Sequence, residues 1–368
     1  MQLLFRSESA ASRTPPAQSI ADGADGADGA DGAGGAPVIE TRGLRRVFPG
    51  AGRGEPVVAV AGVDLRVAGG EIFGFLGPNG AGKTTTLRML ATLLPPGGGE
   101  ARVAGFDLRR EPQRVRERIG YVAQSGSTDP QISGRAELVL QARLYGLDRG
   151  TAGARAAALL DRFDLQGCAD RPCGTYSGGQ RRRLDLALGL VHAPRLVFLD
   201  EPTTGLDPQA RARMWDEVRR LRDGGTTVFL TTHYLEEADA LCDRLAIIDH
   251  GRIVAEGTAD ALKRRVAGDV VTLRLPEAQP APAAGALPAE DPPAAAARLL
   301  GGQPFVREIG RDGATLRLYV DRGETALPAV LRLLDAAGLA PLALALNRPS
   351  LDDVFLHQTG RTLRERAA

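Results

Sequence analysis

The residues best suited to chemistry form one run, Gly77-Pro78-Asn79-Gly80-Ala81-Gly82-Lys83-Thr84, set between an apolar strand pattern and a helical one. Its glycines let backbone N–H groups turn inward onto phosphates that a Cβ would obstruct. The helix that must start near Gly82 adds the partial positive charge of its N-terminus. Lys83 can then reach the β- and γ-phosphates, and the Thr84 hydroxyl is suited to bind Mg²⁺. This is the P-loop pattern at every fixed position. The alternative, a Gly-rich turn without chemistry, does not account for the strand before it and the helix after it.

A P-loop alone implies only a nucleoside triphosphate. The second element is Leu196-Val197-Phe198-Leu199-Asp200-Glu201, an apolar strand ending in two acids. Asp200 suits an acid that holds Mg²⁺, and Glu201, one residue on, can polarise an attacking water. Alone, such a tip could equally be two solvated acids; after a P-loop it reads as hydrolytic. The third element is Ser177-Gly178-Gly179-Gln180, which opens a helical pattern with Leu184, Leu188 and Val191 on one face. Ser177 is a good N-cap, and paired glycines permit close approach to an anion at a helix start. One helix N-terminus already serves phosphate in the P-loop, so a second suggests a second phosphate contact.

At these residues the chain resembles the ABC ATPase family, whose signature is Leu-Ser-Gly-Gly-Gln; Tyr176 stands in the Leu place. The family's other motifs follow in its order. Gln124 matches the Q-loop, Gly205-Leu206-Asp207 the D-loop, His233 the switch histidine, and Phe48 the aromatic that stacks on adenine. The resemblance implies that Gln124 contacts Mg²⁺ and water while sensing a membrane partner. It implies that His233 holds the γ-phosphate and that Asp207 couples two copies. Taken singly, a histidine after a strand is usually structural and a strand-end Gln solvated, and for Phe48 plain core packing is the competing reading. The run Glu71–Leu76 leading into the P-loop and Thr85 is similar to the daunorubicin-resistance type of ATP-binding protein, as are Ala142–Gly146 and Asn347–Phe355.

These residues need a scaffold. Strand patterns at Glu71–Leu76, Ile119–Ala123, Leu196–Leu199, Thr227–Leu230 and Leu245–Ile248 alternate with helical ones, which argues for an α/β domain with a mainly parallel sheet. The expected fold is therefore a P-loop NTPase domain of ABC ATPase type over 37–267. A helical subdomain is inserted at about 126–191. A small C-terminal α+β accessory domain is expected over 268–346, with strands at Val270–Leu275 and Ala314–Val320 and a helix near Ala326–Ala336. Residues 1–36, with four Ala-Asp-Gly triplets, read as a disordered tail. The Pro/Ala-rich stretch 276–297 reads as a linker or surface loop, longer than the family usually carries. Residues 347–368 read as a C-terminal tail in which Ser350 and Asp353 form a capping box; a plain reading packs this helix on the accessory domain.

Composition sets the outer bounds. A formal net charge of +1 gives no electrostatic case for nucleic acid. Nearly all basic residues are Arg, read here as coding bias. Cys168, Cys173 and Cys242 are too scattered for a zinc site. No window approaches the roughly eighteen apolar residues of a membrane span, and the start lacks a signal-peptide core. The chain is thus expected at the cytoplasmic face of the cell membrane as a peripheral protein. With one copy of each motif, the resemblance implies a homodimer in which two copies enclose ATP head to tail. It also implies a separate multi-span permease as partner, and drug or antibiotic efflux as the task. Two rivals are a non-transport ABC ATPase, usually marked by tandem domains, zinc insertions or coiled coils, and a regulatory module that binds ATP without turnover. Glu201 and His233 stand against the second.

Overall fold

The computed structural model describes residues 37–50, 55–124, 126, 128–266, 269–276, 291–347 and 350–359. The expected tail 1–36 lies outside them. Two long strands open the described chain, β1 (Ile39–Phe48) and β2 (Val57–Val67). With β4 (Gly98–Val103) and β5 (Phe106–Asp107) they form an antiparallel sheet in the order β2-β1-β4-β5. None of these strands was expected from the sequence. Their polar and glycine residues break the apolar runs, and register shifts interrupt both the β1–β2 and the β1–β4 ladders.

The central sheet follows the expectation closely. It comprises β3 (Ile72–Leu76), β6 (Ile119–Val122), β7 (Leu196–Asp200), β8 (Thr227–Thr232), β9 (Arg244–Asp249) and β10 (Arg252–Gly257), in the order β10-β9-β3-β8-β7-β6. All of its pairings are parallel except the β10 edge, which pairs antiparallel with β9. Burial explains the composition: every residue of β3, β7 and β8 is buried, so an alternating pattern would leave polar groups in the core. Phe73, Phe75, Phe198 and Phe229 cluster there, Phe229 touching the other three rings.

Helices α1 (Lys83–Leu90), α2 (Pro112–Arg116), α6 (Pro208–Asp223), α7 (Leu235–Leu241) and α8 (Ala259–Val266) accompany this sheet. Between β6 and β7 the chain is helical, with α3 (Gly134–Leu144), α4 (Arg149–Arg162) and α5 (Gly178–Gly189). Leu138, Ala142, Ala156, Leu159 and Leu184 share one core cluster with Val197 and Leu199 of the sheet, so the insertion packs directly on the ATPase core.

Beyond residue 269 runs a β-α-β-β-α-β unit: β11 (Val270–Arg274), α9 (Pro292–Gly301), β12 (Val306–Asp312), β13 (Thr315–Val320), α10 (Gly323–Ala336) and β14 (Ala343–Asn347). Its sheet order is β12-β13-β11-β14, antiparallel throughout. Two expectations need correction. The stretch 276–297 is not all linker, because its end forms the first turns of α9, where Ala296 and Leu300 are fully buried in the core. Pro at the first two helical positions is compatible with a helix start, which a composition-based linker reading overlooks; residues 277–290 lie outside the described ones. Nor is 347–368 a mere tail on the accessory domain. Helix α11 (Leu351–Thr359) places Leu351, Val354 and Phe355 against Leu76, Ala238, Leu245, Ile247 and Leu262 of the ATPase core. Its capping box is present, Ser350 N donating to Asp353 Oδ2 at 2.9 Å and Asp353 N to Ser350 Oγ at 3.3 Å. Residues 360–368 lie outside the described ones.

Candidate functional site

The loop from β3 to α1 is built around close approach. A Cβ on Gly77 would lie 2.3 Å from the Ile248 carbonyl oxygen. Gly82 caps α1 at φ 105°, a left-handed conformation that side chains resist, and a Cβ there would lie 2.4 Å from the Ala59 carbonyl oxygen. No side chain caps α1, so its first-turn N–H groups are left to a ligand. Pro78 and Ala81 are buried, whereas Asn79 and Gly80 are exposed at the loop tip. Lys83 is buried and folds back, Nζ donating to the carbonyls of Gly77 at 2.8 Å and Pro78 at 3.1 Å. Burial lowers its pKa, against the raising influence of Glu201 and Asp200. Thr85 is half-buried beside Thr84.

Six of the nominated residues meet at the tip of β7. The Thr84 hydroxyl donates to Asp200 Oδ1 at 3.0 Å. Glu201 Oε1 lies 3.5 Å from Lys83 Nζ and 3.2 Å from His233 Nδ1, and Gln124 Nε2 donates to Glu201 Oε2 at 2.8 Å. The His233 contact lacks hydrogen-bond geometry, leaving that nitrogen buried without a bonded partner. Burial pushes the Glu201 pKa up, but His233 and the Lys83 charge outweigh it, and the carboxyl sits below its ordinary value. Glu201 adopts φ 46°, a left-handed backbone unusual for a non-glycine residue. The consequence is visible in the contacts: Asp200 turns to Thr84 while Glu201 turns to Lys83, Gln124 and His233.

The Ser177 segment is elsewhere. Ser177, Gly178, Gly179 and Gln180 line an open cavity of about 420 Å³ with Gly205, Leu206, Asp207 and Arg213, and no residue of 77–85 lines it. Ser177 caps α5 in a reciprocal box, accepting from Gln180 N at 3.2 Å while Gln180 Oε1 accepts from Ser177 N at 2.9 Å. Asp207 caps α6, accepting from Ala210 N at 2.8 Å. Tyr176, in the place of the signature Leu, is buried with its hydroxyl donating to the Cys168 carbonyl at 2.7 Å. Phe48 ends β1 opposite Val57, its ring 5.0 Å from the Arg46 guanidinium.

The structure adds residues that sequence reasoning missed. Thr231 Oγ1 donates to Asp200 Oδ1 at 2.7 Å and accepts from Glu201 N at 3.1 Å. Thr204 Oγ1 donates to Glu201 Oε2 at 3.2 Å. Arg182, one of a basic run discounted as coding bias, is buried and bonded to main-chain carbonyls around both acids. Its place two residues after the Gln180 that completes the signature was the only available signal.

Comparison with known proteins matches residues 60–204 to the ABC transporter family and residues 257–359 to the C-terminal domain of DrrA1-3-like ATP-binding proteins. The daunorubicin resistance ATP-binding protein DrrA3 of Streptomyces coeruleorubidus is 48% identical over 311 residues, 84% of this chain and 94% of that protein. The Nod factor export ATP-binding protein I of Burkholderia pseudomallei is 41% identical over 83% of this chain and 93% of its own length. Among solved structures, an ATP-binding subunit of an ABC transporter is 27% identical with a TM-score of 0.55, covering 62% of this chain and 92% of that one. A dimeric ATP-binding cassette bound to ADP and Pi after hydrolysis has the same TM-score at 23% identity, covering 60% of this chain and 98% of its own; it shows the shared fold.

Proposed function

The chain belongs to the ABC transporter ATP-binding proteins of the daunorubicin-resistance type, and from that premise we propose how its residues divide the work of binding and hydrolysing ATP. The observation that carries the reading is the convergence of Lys83, Gln124 and His233 on Glu201 while Asp200 is turned to Thr84. Loop 77–85 and the start of α1 hold the triphosphate, with Lys83 leaving its loop carbonyls for the phosphates. Phe48 stacks on the base. Thr84 and Asp200 offer hard oxygen donors, with the Gln124 amide nearby, and this donor set fits Mg²⁺. When bound, the ion neutralises phosphate charge. Glu201, held ionised, orients and deprotonates the attacking water, and His233 sits where it can stabilise the γ-phosphate.

The second half of the site is on another copy. Ser177–Gln180 faces a cavity apart from the P-loop, so in our reading it meets the ATP of a partner in a head-to-tail homodimer, with Asp207 at the seam. ABC ATP-binding subunits work with membrane permeases, and no helix among the described residues is long and apolar enough to cross a membrane. The exposed side chains of Leu93 and Tyr145 line a groove that Ala123 also lines, beside Gln124. Exposed apolar side chains beside charged and polar ones (Arg116, Glu137, Gln141) suit protein contact, and we assign this groove to a separate multi-span permease at the cytoplasmic face of the membrane. The names of the relatives support drug efflux as the transported task.

The deciding experiment is Glu201→Gln with ATP and Mg²⁺. Nucleotide binding should persist, turnover should stop, and a dimer should accumulate on size exclusion. A monomer under those conditions would count against the shared site, and undiminished turnover against the role of Glu201.

A further inference from the structure

Arg182 presents a physical problem. It is 7% exposed, so its charge is largely removed from water; Asp185, Asp200 and Glu237 favour that charge from a distance, yet its hydrogen bonds go to main-chain carbonyls. Burying a cation is costly unless each donor is satisfied. Here the guanidinium's five N–H groups face five main-chain carbonyls. Nε donates to Pro202 at 2.8 Å; Nη1 donates to Ala123, with Gln124 at 3.5 Å; Nη2 donates to Asp200 at 3.3 Å and Glu201 at 3.4 Å. These carbonyls belong to the end of β6 and the end of β7, the segments that deliver Gln124 and the acid pair.

The carrier of this side chain matters as much as its contacts. Arg182 is the fifth residue of α5, whose first turn is the Gly178–Gln180 segment. The distance along the axis is about 7 Å, short enough for the helix to move as one body. Lysine could not do this job: an ammonium is a compact point charge without the planar fork that spans both segments.

We propose that Arg182 is a positioning residue that ties the signature helix to the hydrolytic site of its own chain. Engagement of Ser177–Gln180 by the partner's ATP moves α5 and, through Arg182, sets the backbones that carry Gln124 and Glu201. Each site thereby reads the occupancy of the other. This rests on the shared-site reading above.

The test compares full-length wild type, Arg182→Gln and Arg182→Lys in two measurements: affinity for a fluorescent ATP analogue under monomeric conditions, and ATPase rate against ATP concentration. For Arg182→Gln the affinity should be unchanged while kcat falls on the order of 10- to 100-fold and the Hill coefficient falls to about 1. Arg182→Lys, which keeps the charge and guards against loss of fold, should show the same defect with only partial recovery. Wild-type kcat and cooperativity in both variants would overturn the proposal, as would a loss of affinity matching the loss of kcat. A wild type that is itself non-cooperative would instead remove the shared-site reading and the coupling with it.

Discussion

The two helix starts nominated for phosphate, at α1 and at α5, are built in opposite ways. Helix α1 begins at a left-handed glycine with no side-chain cap, beside a buried lysine. Helix α5 begins at an exposed serine that has already satisfied two terminal donors through its capping box. The first leaves the N–H groups of its opening turn without a side-chain cap, which suits them to an anion. The second is complete by itself and can stay folded at the surface, where a partner's ligand can reach it. In our proposed reading, a chain so built binds ATP alone and completes the site only by association.

Three substitutions sharpen or break this contrast. The largest effect is expected from Lys83→Ala, which should weaken ATP binding of the single chain by 100-fold or more, on the order of the 3 kcal/mol of a charge-assisted hydrogen bond in a buried site. Calorimetry showing unchanged affinity would sink the assignment of the α1 pocket. Next is Ser177→Ala. It should leave single-chain affinity intact, cost about 1 kcal/mol of stability through the lost cap, and lower turnover about tenfold by removing a donor to the partner's nucleotide. An affinity loss like that of Lys83→Ala would mean the two faces are not separate.

The third effect concerns stability alone and leaves turnover unchanged. Asp185, on the third turn of α5, is buried, with Oδ1 lacking a hydrogen-bond partner, and burial pushes its pKa from 3.8 up to about 6. The folded state therefore holds this proton more tightly than the unfolded chain. Stability is fully present below about pH 4 and is lost as pH rises toward 6. Asp185→Asn should remove that loss, raising stability at pH 7 by roughly 3 kcal/mol at most with little change at pH 4. Thermal melts across this range check it, and equal gains at both pH values would exclude a charge origin.

Much of the site was legible because its chemistry demands particular residue types at short spacing. Gly77 through Thr84 and the pair Asp200-Glu201 are local patterns, and the central strands announced themselves through continuous apolar runs. The antiparallel sheet did not, since β1, β2 and β4 mix polar residues with bulges and owe their pairing to distant partners. Helix α9 was hidden by a Pro/Ala composition, although Ala296 and Leu300 lie one turn apart on its buried face.

The sequence by itself determined that a triphosphate binds, that two acids stand at a strand tip, and that a second anion-ready helix start exists. Those are properties of consecutive residues and survive in any compatible fold. Tertiary structure alone decided which acid faces which partner, through the left-handed backbone at Glu201 and the Thr231 hydroxyl that bonds Asp200 Oδ1 and the Glu201 amide. It alone recruited Arg182, whose acceptors lie from 18 to 59 residues away. Backbone carbonyls carry no residue identity, so bonds to them leave no pattern to read; they exist only once the strands are in place.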